Sequence, residues 1–97
     1  MTIILKKSPN PKKKFRVVFE DGTHTDFGAS GYSDYTLHKD LERMKRYLTR
    51  HRSRENWSKS GIKTAGFWSR WLLWSEPSLQ KAKTSMEKKF QIKIRNA

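Results

Sequence analysis

Five cations recur at helical spacing in the middle of the chain. Lys39, Arg43, Arg46, Arg50 and Arg54 follow one another at intervals of four, three, four and four. On one continuous helix they form a single row. Four of the five are arginine, whose flat guanidinium takes phosphate or carboxylate oxygens two at a time. The row is almost free of acids, which a merely solvated face would mix in. It can follow a phosphate backbone, with affinity falling steeply in salt, or dock on an acidic protein surface. Lys12, Lys13 and Lys14 follow Pro9 and Pro11 and offer the same chemistry from a loop. Most charge runs are no more than solvated faces, and the residues alone leave that reading open too.

Residues suited to catalysis occur only as scattered singles. There is no Gly-rich phosphate loop, no Gly-x-Ser-x-Gly elbow and no His-Glu-x-x-His. His24, His38 and His51 lack metal-ligand spacing. Asp34, Asp40 and Glu42 gather near a helix start, where they suit the macrodipole and an i,i+4 pair from Glu42 to Arg46. The expectation is a non-enzymatic chain with no catalytic residue, no metal, no cofactor and no small-molecule substrate. No helix-turn-helix, zinc finger or aromatic RNA-binding pair is recognisable, so sequence-specific readout of nucleic acid is unsupported.

The most apolar stretch is Thr64 to Ser75. It holds Trp68, Trp71 and Trp74 beside Phe67, Leu72 and Leu73. At 100° per residue Phe67, Trp71 and Trp74 share a face, Trp68 and Leu72 flank it, and only Ser69 and Arg70 are left for water. A helix so apolar must be buried, in its own domain or against a partner. Together with Trp57 these rings are therefore core or interface aromatics, tryptophan being the residue most enriched at binding hot spots.

The elements that must position these residues follow from patterning. Strands are expected at 2–6, 14–20, 23–28 and 90–95. Phe15, Val17 and Phe19 alternate with Arg16, Val18 and Glu20, and Asp21-Gly22 then signals a tight type I′ hairpin. Ser33 or Asp34 can cap a helix over 34–55, with Leu37, Leu41, Met44 and Leu48 packing on the domain and the cation row almost opposite. Thr64 caps a helix over 65–75, in which Gly66 leaves room for a close neighbour. A further helix is expected at 77–89. The fold class is α+β: one domain over 1–97, a small mostly antiparallel sheet, and three helices on one face with the tryptophan helix central.

Composition agrees with a small core and a polyanionic partner. The 97 residues carry 22 Lys plus Arg against 9 Asp plus Glu, a formal charge of +13, with 12 % aromatics and no cysteine. Positive charge is spread along the chain, +2 over 1–34, +6 over 35–63 and +5 over 64–97. Disulfides and thiolate metal sites are excluded. Neither a signal peptide nor a membrane-spanning run is legible, so an intracellular, non-secreted location is expected.

Two runs carry a resemblance. Phe27-Gly28-Ala29-Ser30-Gly31-Tyr32-Ser33-Asp34-Tyr35-Thr36-Leu37-His38-Lys39-Asp40 continues through Arg46-Tyr47 and Arg50-His51 to Arg54-Glu55-Asn56-Trp57. Thr64-Ala65-Gly66-Phe67-Trp68-Ser69-Arg70-Trp71-Leu72-Leu73-Trp74 is the second. Over roughly residues 15–80 the chain resembles a family of small basic proteins of nucleocytoplasmic large DNA viruses, of the phycodnavirus and mimivirus kind. The resemblance implies a viral setting, the virion or the host cytoplasm with its virus factory. It brings no activity to any residue. The charge, the tryptophans and this setting together give two function classes, the first placed ahead of the second. The first is a minor capsid-associated component that docks on acidic protein surfaces of a virion assembly through the basic helix face and the Trp-rich helix. The second is a sequence-nonspecific nucleic-acid-binding protein of the packaging or architectural kind, using the Lys39, Arg43, Arg46 and Arg50 stripe.

Overall fold

The computed structural model describes residues 1–97 and has an α+β fold. Four strands, β1 (Thr2–Lys7), β2 (Lys13–Val18), β3 (His24–Ala29) and β4 (Lys93–Asn96), form one sheet in the order β3-β2-β1-β4. The β1–β2 and β2–β3 pairs are antiparallel, and β4 lies parallel to β1. Helices α1 (Tyr35–His38), α2 (Leu41–His51), α3 (Ala65–Trp68) and α4 (Leu79–Phe90) complete the fold, and α3 runs on as a π-helical turn over Ser69–Leu73. No helix is long and apolar enough to cross a membrane.

Alternation builds the sheet as the sequence implies. Ile3, Leu5, Val17, Phe19, Phe27 and Ile94 are buried together against Phe67, Trp68, Leu72, Leu73, Ala82 and Met86. The Asp21-Gly22 hairpin exists, but its turn differs from the expected type I′. Only Gly22 has positive φ, 87°, and Gly22 N–H donates to the Phe19 carbonyl while Phe19 N–H donates to that of Thr23. This is a three-residue loop whose left-handed position needs glycine. The strand expected at 90–95 starts late, because Phe90 ends α4 and Gln91, at φ 55°, caps it.

The expected helix over 34–55 is broken. Asp34 caps a single turn by accepting from Thr36 N–H. Lys39 then turns left-handed at φ 56°, and Asp40 caps a second helix by accepting from Glu42 and Arg43 N–H. His38 Nδ1 accepts Asp40 N–H at 2.9 Å. Short polar side chains here give the backbone partners that a continuous helix would otherwise supply.

The expected packing of the leucine stripe, now divided between α1 and α2, is also corrected. Leu37 and Leu41 are 64 % and 47 % exposed, while the buried residue of α2 is Tyr47. Tyr47 stacks on Trp74 at 4.3 Å with the planes 2° apart. Tyr47 anchors the helix because its ring lies parallel on that of Trp74 and buries a large apolar face on each.

Candidate polyanion interface

Three surface hollows share lining residues and so join into one basic track. The first, of about 740 Å3, is lined by Lys7, Lys13 and Lys14 with Pro9 and Pro11. The second, of about 390 Å3, takes Lys13 and Lys14 on one wall and Arg50, Tyr47 and His51 on the other. The third, of about 290 Å3, continues along α2 through Arg50, Arg46 and Lys45. The fold thereby places the lysine run beside the arginine helix.

The cations on this track have few partners. Asp34 is buried and holds Lys14 Nζ at 2.7 Å, so Lys14 is neutralised in place. Glu42 stands 3.9 Å from Lys45, and Glu55 stands 3.8 Å from His51. Lys13, Arg46 and Arg50 have no carboxylate within ion-pair distance and no side-chain hydrogen bond within the chain. Other acids are committed to the fold. Asp26 pairs with Arg16, Asp21 with Lys63, Asp40 caps α2, and Glu87 accepts Ile94 N–H.

The remaining residues singled out in the sequence are placed as follows. Lys12 is exposed beside the track. Arg43 is exposed on α2 but lines none of the three hollows. Arg54 lies beyond the last turn and donates to the Arg50 carbonyl at 3.5 Å. Lys39 leaves the row altogether, since its ammonium donates to the carbonyls of Thr36 and Pro77 and ties the helix break to the start of the α4 segment.

The aromatics divide between core and margin. Phe67 and Trp68 are fully buried, whereas Trp57, Trp71 and Trp74 are half-buried. The sequence-based wheel assumed α geometry throughout. The π-turn over Ser69–Leu73 closes i→i+5 and rotates the later residues off that wheel. Arg70, expected in water, lies 4.3 Å from the Trp71 ring and 5.4 Å from that of Trp57. Glu55 packs where a Gly66 side chain would stand, so the room that Gly66 leaves is filled by a carboxylate.

Tyr47 and His38 bound the acid–base behaviour of this face. Burial, with Glu55 nearby, pushes the Tyr47 hydroxyl up to about 12, so it stays neutral. His38 packs 5.3 Å from Trp74, and because Nδ1 is an acceptor its proton sits on Nε2, which is buried without a partner. Burial, and then Arg43, push its pKa down against the opposite pull of Asp40 and Asp34. A histidine held neutral in the fold but free to protonate when unfolded makes stability fall as pH drops below about 6.5. Melting temperature is expected to decrease between pH 7.5 and 5.5. The His38→Gln variant should show a shallower decrease, and equal slopes would remove His38 as the cause.

Lys7 and Lys45 are the track cations that the sequence did not single out for a binding role. Only tertiary placement distinguishes them from other surface cations. No group of three His, Cys, Asp or Glu residues stands together as metal ligands.

No curated protein and no solved structure matches the chain. A family model described as Family of unknown function (DUF5754) matches residues 3–51. That span runs from β1 to the end of α2 and contains every cation of the track. The chain belongs to this family.

Proposed function

We propose that this family member is a non-enzymatic protein that holds nucleic acid without regard to sequence, as a packaging or architectural component of a large DNA virus. The observation that carries the reading is the continuous track from Lys7 through Lys13 and Lys14 to Arg50, Arg46 and Lys45. Phosphates along a duplex offer a dense row of charge that such a track can follow, and phosphate contacts carry no base information. The commitment of Asp21, Asp26, Asp34 and Asp40 to ion pairs and helix caps supports a binding role over acid–base chemistry.

One observation favours the second reading, a minor capsid-associated component docked on acidic protein. Leu37 and Leu41 stand in solvent, as a protein-docking element would. The inward placement of Phe67 and Trp68 weighs against the tryptophan run as its main contact.

The test is a titration with random-sequence duplex DNA across salt concentrations. Three to five phosphate contacts predict a slope of log K against log salt of about −3 to −4.5. A slope near zero, or no binding at physiological salt, would reverse the order of the two readings.

A further inference from the structure

Helix α2 has a second face that the basic track does not use. Leu41, Met44 and Leu48 recur on one side of it, almost opposite Arg43, Arg46 and Arg50. Leu41 is exposed, and Met44 and Leu48 are only half-buried. The stripe ends in a hollow of about 430 Å3 lined by Leu48, Thr49, Arg52, Glu55, Trp57 and Arg70.

Charge in this hollow is unbalanced. Glu55 is held against His51 and Gly66. Arg52 and Arg70 have no carboxylate within ion-pair distance. Arg70 is half-buried between the Trp57 and Trp71 rings, donates to the Trp74 carbonyl at 2.9 Å, and keeps a buried Nε without a partner. Trp57 Nε1–H is likewise buried and unpartnered. The guanidinium sits in a π-turn, a distortion frequent at functional sites.

We infer that the apolar stripe of α2 and the Trp57–Arg70 hollow form a docking groove for an acidic amphipathic helix of a partner protein. Its apolar side chains lie on Leu41, Met44 and Leu48, and its carboxylates meet Arg52 and Arg70. Charge complementarity selects this occupant. A second copy, itself of net charge +13, would set like charge against Arg52 and Arg70. A phosphate backbone has no apolar groups for a leucine stripe to cover. The chain is then two-faced, with nucleic acid on one side of α2 and an acidic protein on the other.

The probe is a synthetic 20-residue helical peptide with Leu at positions i, i+3, i+4 and i+7 and Glu on the flanking positions. A copy with Lys in place of Glu is the control. In 15N-labelled full-length chain, the Glu peptide is expected to shift the Trp57 indole N–H resonance and to leave that of Trp68 in place. Leu41→Ser and Arg52→Ser, both at exposed positions, should each weaken peptide binding about tenfold, as truncating one anchor does. Leu41→Ser should leave affinity for duplex DNA unchanged and Arg52→Ser should cost only the small, salt-screened loss of one off-track charge, so the groove is tested whether or not the DNA reading survives. Equal binding of the Lys copy, or Glu-peptide binding weaker than about 1 mM, would overturn the proposal. DNA affinity that falls in the two variants would put nucleic acid in the groove. A concentration-dependent dimer that disappears in Leu41→Ser would put a second copy there.

Discussion

Replacing Lys13, Arg46 and Arg50 together by Ser is expected to weaken binding to random duplex DNA by on the order of 10²-fold near 0.1 M salt. The salt slope should flatten by about three units, one for each phosphate that is no longer neutralised. Lys13 enters β2 and Arg50 lies on α2, yet both line the same cleft, and Arg46 continues the line outward. None of the three side chains is in an ion pair, so their removal leaves the ion pairs of the fold in place. Melting temperature and helix content should therefore stay as in the parent chain. The matched control is Lys81, Lys88 and Lys93 to Ser, which removes the same formal charge from exposed positions on α4 and β4. It should cost only the weaker, long-range part of the attraction, which salt screens within about 10 Å at 0.1 M. Equal weakening in the two triple variants would mean that net charge alone binds DNA. In that case the track is an accident of a basic surface.

Arg43 is left out of that variant for a structural reason. From spacing it belongs to the row, but it lines none of the three hollows. Lys13 replaces it, and no periodicity could have paired Lys13 with Arg50. Strands were legible because Phe15, Val17 and Phe19 alternate and Asp21-Gly22 marks the turn. The turn type was not, since the left-handed conformation falls on Gly22 alone. The break in the long helix is not legible because helical spacing continues unbroken across Lys39. What stops it is local, the caps made by Asp34 and Asp40 and the acceptor on His38. A polar residue that caps its own backbone leaves the apolar spacing intact while ending the helix. Lys39 shows the functional consequence. It keeps its place in the periodic pattern but bonds the Pro77 carbonyl, and so leaves the polyanion-binding set.

The tryptophan run shows the same limit and yields the largest expected stability effect. Trp68→Ala is expected to destabilise the fold by roughly 3–5 kcal/mol, the range for truncating a buried large aromatic. Its side chain is fully buried, packs 6.0 Å from Phe27 and 5.7 Å from Phe67, and donates Nε1–H to the Ile62 carbonyl at 2.6 Å. Removal opens a cavity under the sheet and strips that carbonyl of its donor, which adds to the cost. Small domains are stable by only about 5–15 kcal/mol, so much of the margin disappears. Trp68→Phe keeps most of the packing and loses the hydrogen bond, which separates the two contributions. Trp71→Ala should cost clearly less. Trp71 is half-buried, and its Nε1–H bonds the Trp57 carbonyl at 2.8 Å from the margin of the core. Denaturant midpoints at constant slope would measure the order. A destabilisation at Trp71 equal to that at Trp68 would mean that the run packs as the regular 100° wheel implies, and that the π-turn does not set which rings face inward. The expected order leaves the Trp71 face as a platform for Arg70, at 4.3 Å. The residues that stabilise this fold and those that give its groove an unpaired cation are then neighbours on one helical segment, separated by the rotation that the π-turn introduces.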